Sequence, residues 1–88
     1  MKKFNQIQAK RIGKDLHINW KSIKLSEFTR GLNVELEHGS KDPQTNVTDN
    51  DEKLTGEIAW AHLKEFPDYY TRLARMEKAA KEHFNKPI

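Results

Sequence analysis

The sequence predicts an all-α fold: one compact single-domain bundle of about four short helices with one long polar loop. Three observations predict it. Apolar residues recur at spacings of three and four, the period of a helix with one buried face. No stretch alternates apolar and polar residues for long enough to make a strand. The run "SKDPQTNVTDND" at 40–51 has no periodic apolar pattern and is rich in loop-forming residues, so it divides two helical halves.

Taken in order, residues 4–16 read as the first helix. Ala9, Ile12 and Leu16 fall at helical spacing, with Phe4 and Ile7 nearby. "HINWKSIKL" follows as a connector, with Trp20 and Ile23 as core plugs. Ser26 is the expected N-cap of the second helix, because its hydroxyl can accept an orphan backbone N–H. Leu25, Phe28, Leu32 and Leu36 form the stripe of that helix, and Gly39 ends it at the position beyond the C-cap. Asp49 or Asp51 caps the third helix, which runs to about Glu65 with a stripe of Leu54, Ile58, His62 and Glu65. "FPDYY" breaks the chain and restarts it, with Pro67 suited to a first helical position. The last helix spans about 68–84, with Leu73, Met76, Ala80 and Phe84 facing inward, and 85–88 form a frayed tail.

Composition narrows the function. Eighty-eight residues fit one domain, 1–88, with a modest core. Hydrophobic content of 35% against 33% charged residues makes that core thin, so an ion or a partner could add to its stability. The absence of cysteine excludes disulfides, thiolate metal sites and cysteine nucleophiles. The first residues are charged and lack the apolar region of a secretory signal. No run approaches the roughly 20 apolar residues of a membrane span. The expected location is therefore cytoplasmic, and "NVT" at 46–48 is a chance match to a glycosylation acceptor. A net charge of +3 suits weak contact with nucleic acid, but many soluble proteins share it.

The candidate site lies in "NVELEHG" and "AWAHLKEFPDYY". Glu35 and His38 are three apart and share a helix face, the spacing of helical carboxylate–histidine metal sites. His62 and Glu65 repeat the spacing along the expected core stripe of the third helix. Polar groups at inward positions need partners, because an unpaired buried one costs about 1–3 kcal/mol. Glu77 on the last helix offers a further carboxylate, and Tyr69 or Tyr70 a supporting hydroxyl. Glu35, His38, His62, Glu65 and Glu77 are thus the candidate ligands of a divalent transition metal: zinc, iron, manganese or nickel. A metal-free His–Glu hydrogen-bond network fits the same residues, and so do solvated side chains. No organic cofactor is expected.

Other chemistries fit less well. "INWKSIKLSEF" echoes a calcium loop but places Leu16, Ile18 and Trp20 where oxygen ligands belong. There is no glycine-rich phosphate loop and no nucleophile elbow. A helix-turn-helix over residues 9–32 would need a break of about nine residues where 3–4 are usual.

"GLNVELEHG", "TNVTDND" and "TGEIAWAHLKEFPDYYTRLARME" together resemble a small family of uncharacterised helical proteins of bacteria and phages, over about residues 9–80. The run of His62, Glu65, Pro67, Asp68, Tyr69 and Tyr70 is its specific part. The resemblance implies a shared fold and a shared site, and no reaction. The leading expectation is a small helical domain that binds a divalent transition metal through its Glu/His residues. The alternative is a phage- or mobile-element-type interaction protein that docks on a host protein or, less readily, on nucleic acid.

Overall fold

The computed structural model describes residues 3–39, 41–46, 49 and 51–85. Its helices are α1 (Gln6–Asp15), α2 (Leu25–Glu35), α3 (Glu52–Glu65) and α4 (Tyr69–Phe84), with a 3₁₀ turn over Leu36–His38. No strand occurs among the described residues. No helix is long and apolar enough to cross a membrane.

Helix α1 starts at a reciprocal cap. The Asn5 side chain accepts from the Gln8 amide at 2.9 Å, and the Gln8 side chain accepts from the Asn5 amide at 3.0 Å. Phe4 therefore stands before the helix and not in it. Its side chain is buried, and Asn33 of α2 clasps its backbone through both the N–H and the carbonyl. Ile7 points to solvent, and Ala9, Ile12 and Leu16 face the core.

At the other end of α1 the Ile18 amide reaches back to Gly13 and the His17 amide to Lys14. This double closure needs a left-handed residue at His17, whose φ is 62°. A side chain there costs about 1–2 kcal/mol, offset in part by the greater freedom glycine has in the unfolded chain. His17→Gly is expected to stabilise the domain by about 0.5–1 kcal/mol, read as a higher urea midpoint. A lower midpoint would mean that the imidazole itself holds the turn.

Helix α2 lies at the centre. It begins earlier than the Ser26 cap implies: Lys24 occupies the cap position with no side-chain bond. Ile23 and Leu25 both pack on the core, and that packing sets where the chain enters the helix. Phe28 and Leu32 are fully buried, while Leu25 and Leu36 are half-buried at the ends of the stripe. The helix tightens into the 3₁₀ turn after Glu35. Gly39 closes that turn at a φ of −99°, so it is not a left-handed cap.

Helix α3 is capped by Asp51, which accepts from the Leu54 amide at 2.7 Å. Its buried line is Thr55, Gly56, Ala59 and Leu63. The stripe expected from Leu54, Ile58, His62 and Glu65 is off by one residue, about 100° around the helix. Leu54 and Glu65 are exposed, and Ile58 and His62 half-buried. Small side chains win because backbones approach there: a β-carbon on Gly56 would strike Ile12 of α1 and Leu16 just beyond it. Thr55 is buried at little cost because its hydroxyl donates to the Asp51 carbonyl at 2.6 Å.

Helix α4 starts two residues after Pro67, with Asp68 at its cap. Tyr70 is its one buried residue, and Leu73 is the last α4 side chain packed on the core. Met76 (57% exposed) and Phe84 (82%) do not face inward as the spacing implies, because the body ends before they do. Residues 41–46 are exposed, as a polar loop should be; the expected tail beyond Asn85 lies outside the described residues.

Candidate functional site

Glu27, Gly31 and Glu35 succeed one another every four residues along one face of α2. All three are buried, although two are carboxylates. Gly31 leaves no side chain between them, and the ring of Tyr70 lies against its backbone. The first turn of α4 is thereby placed across α2, and each carboxylate receives donors from it.

Glu35 accepts from the Tyr70 hydroxyl at 2.9 Å in a buried bond. Burial, then the negative charge of Glu35, pushes the Tyr70 phenol well above its ordinary value of 10.0. The protonated phenol is the stabilising form. Its contribution is complete below the unfolded value of 10.0 and is lost as pH rises above it. In a Tyr69→Phe variant, the phenolate absorbance of Tyr70 is expected to appear only together with loss of the helical circular dichroism. A phenolate signal from a still-helical protein would contradict the buried bond.

Glu27 serves the neighbouring residue. Its Oε2 accepts from the Thr71 amide at 3.3 Å, and its Oε1 accepts from the Thr71 hydroxyl. Arg30 lies 4.0 Å from the same carboxylate and donates to the Thr71 hydroxyl oxygen at 3.3 Å. Thr71 is the third residue of α4, so Glu27 caps that helix from another element and meets the positive end of its dipole. Asp68, which stands at the cap position, makes no cap bond. Arg72 instead donates to both of its carboxylate oxygens at 2.9 Å and holds its carboxyl below the usual range.

His62 approaches from α3. Its Nε2 is 3.9 Å from Glu35 Oε2. Its ring stacks on Tyr69, with centroids 4.4 Å apart and planes 13° apart, and meets Tyr70 edge-on at 6.2 Å. Its Nδ1 is buried and has no hydrogen-bond partner among the described residues.

Of the sequence-derived candidates, the structure brings Glu35 and His62 together, and Tyr70 supplies the hydroxyl. His38 is exposed on the 3₁₀ turn. Glu65 is exposed at the end of α3, turned outward by the one-residue phase shift, and Glu77 is half-buried farther along α4. Among the described residues no three His, Asp or Glu side chains gather within reach of one ion. Glu27, Gly31 and Thr71 belong to the site and carry no motif in the sequence. The one local sign was Glu27 and Glu35 at eight residues' separation on the line of a helical glycine.

A family model spans residues 9–79, which takes in α1 from Ala9, all of α2 and α3, α4 as far as Ala79, and every residue of this site. The chain belongs to the DUF5661 family. DUF5661 is a family of proteins of unknown function, in agreement with the resemblance to uncharacterised helical proteins. The matched DUF5661 region ends at Ala79, so it holds both carboxylates of α2, His62 and the first turns of α4. No curated protein and no solved structure matches the chain.

Proposed function

We propose that this domain is a protein-binding module that fixes the start of α4 and offers the rest of that helix to a partner. The observation that carries the reading is that the apolar stripe of α4 outlasts its contact with the body. Leu73 packs on the core, whereas Met76 and Phe84 are exposed, as is every described residue after Ala80. Met76, Ala80 and Phe84 at four-residue steps are the anchor pattern of a helix that enters a groove or pairs with another helix. The buried polar work of Glu27 and Glu35 is spent on holding Tyr70 and Thr71, and it gives the projecting helix a rigid base.

A photo-reactive residue in place of Met76 or Phe84 tests this in cells that make the protein. Discrete adducts are expected from both positions and none from the same residue in place of Glu57, which is exposed on α3. Equal labelling from α3 and α4, or no adduct at all, would reject the module.

A second reading keeps a divalent transition metal, zinc, iron, manganese or nickel, on Glu35 and His62. It is favoured by their 3.9 Å approach, because donors about 2.0–2.2 Å from one ion stand up to about 4 Å apart. Water or a partner would complete the coordination. Elemental analysis of untagged protein, together with melting in the presence of Zn²⁺ or Ni²⁺, tests it. Bound metal and a raised melting temperature that His62→Ala abolishes would support the site; an unchanged melt would remove it.

A further inference from the structure

We infer that the partner of α4 is a second copy of this chain, packed antiparallel on it about a two-fold axis near Ala80. The inference rests on the reading of α4 as a docking helix.

Three features of α4 are self-complementary. Residues advance by about 100° around a helix, so Met76, Ala80 and Phe84 lie within one narrow stripe. An antiparallel two-fold centred on Ala80 sets Met76 against the partner's Phe84, and Phe84 against the partner's Met76. Both are large and exposed in the single chain, and the pairing covers both on each copy. The residue on the axis is alanine, small enough for the two helices to approach closely.

Charge is the second feature. Glu77 and Lys81 stand on the same flank of that stripe, one turn apart. With Ala80 on the axis, the order along this flank is Glu77, the partner's Lys81, Lys81 and the partner's Glu77, in steps of about 3 Å. Each lysine has an acid of the other copy beside it, which offsets the approach of the two lysines across the axis in a closed isologous contact.

The third feature is the free opposite face. Arg75 and Lys78 are exposed. Arg75 and Lys78 lie on the outer side of α4, so they stay in water when the stripe is covered. Nothing charged has to be desolvated at the centre of the contact.

Sedimentation equilibrium of the full chain, up to about 1 mM, a range that populates even a weak dimer, tests the pairing. The mass is expected to rise from 10.3 kDa toward twice that value. Glu77→Lys and Lys81→Glu are each expected to weaken association about tenfold, since two symmetric pairs turn from attraction to repulsion. Mixing the two variants is expected to restore it, because both contacts between positions 77 and 81 of the mixed pair again join opposite charges. Repulsion within one helix is present in both variants whatever they are mixed with, so recovery on mixing reports a contact between chains. Phe84→Ser, at a position outside the body, is expected to weaken association with an unchanged melting temperature. It serves as the test if a charge variant fails to fold. A monomer at every concentration, or two charge variants that do not recover on mixing, overturns the pairing. Adducts from Met76 with a different protein, in a chain that stays monomeric, would keep α4 as a docking helix and reject the second copy as its partner.

Discussion

Phe28→Ala is expected to cost about 3–5 kcal/mol, the usual range for removing a buried aromatic ring. Phe28 is fully buried on the central helix. Trp20 of the α1–α2 connector meets its ring edge-on, at 5.7 Å between centroids and 62° between planes. Its Cζ lies 3.5 Å from where a β-carbon on Gly56 would stand, so it also fills the place where α3 comes closest. The backbone of α3 cannot follow the lost ring inward, since Gly56 is already against Ile12 and Leu16. A cavity therefore persists. A domain of this size is stable by only about 4–13 kcal/mol, so the loss is a large fraction of the total and leaves a domain near the low end of that range partly unfolded at room temperature. Urea unfolding followed by circular dichroism measures the loss, with Ile7→Ala as the exposed comparison, expected within about 0.5 kcal/mol of the parent. A cost below about 1 kcal/mol for Phe28→Ala would mean that the core closes over the gap and is far softer than its packing implies.

Phe28 also marks what the sequence made readable. It and Leu32 are large, apolar and four apart, so hydrophobic periodicity found the buried face of α2 directly. The same rule failed on α3. There Leu54 and Ile58 begin the expected stripe, yet Thr55, Gly56, Ala59 and, farther along, Leu63 are the buried ones. Periodicity weighs side chains by apolar size, whereas a close helix crossing selects positions where side chains are small. Thr55 satisfies its own hydroxyl within the helix, so polarity was no guide either. On α4 the stripe was real but longer than the body it packs against, and no sequence pattern says where a neighbouring helix stops.

The candidate site was legible to the same extent. Glu35 and His62 stood out as ionisable groups at inward or bordering positions, and they do approach each other. His38 did not join them: it stands exposed on the 3₁₀ turn beyond α2, whereas Glu35, the last residue of that helix, is buried against α4. The partners that satisfy the carboxylates come from far along the chain: Tyr70 is 35 residues from Glu35, and Thr71 is 44 from Glu27. Those pairings depend on how α4 crosses α2, and the crossing depends on a glycine that carries no chemical signal of its own.

That glycine gives the sharpest expected result. Glycine to alanine inside a helix ordinarily stabilises by about 1 kcal/mol. Gly31→Ala is expected to do the reverse and to cost about 2–4 kcal/mol net, from overpacking and a weakened buried bond. A β-carbon at Gly31 would overlap the Tyr70 ring at Cε2, Cδ2 and Cζ. The ring has nowhere to retreat. It is 1% exposed, its hydroxyl is held by Glu35 at 2.9 Å, and the adjacent Thr71 is tied to Glu27. Moving Tyr70 outward would leave the Glu35 carboxylate buried without its donor, and it would pull the start of α4 off its cap. The cost is thus a property of the pair, and a double-mutant cycle isolates it. In a Tyr70→Ala background, already destabilised by the lost ring, the added Gly31→Ala change should be neutral or stabilising, as in an ordinary helix. The coupling between the two sites is expected to reach about 2–5 kcal/mol, at or above the upper end for residues in contact. If Gly31→Ala costs the same in both backgrounds, the β-carbon is meeting something other than Tyr70, and the account of how α2 seats α4 is wrong.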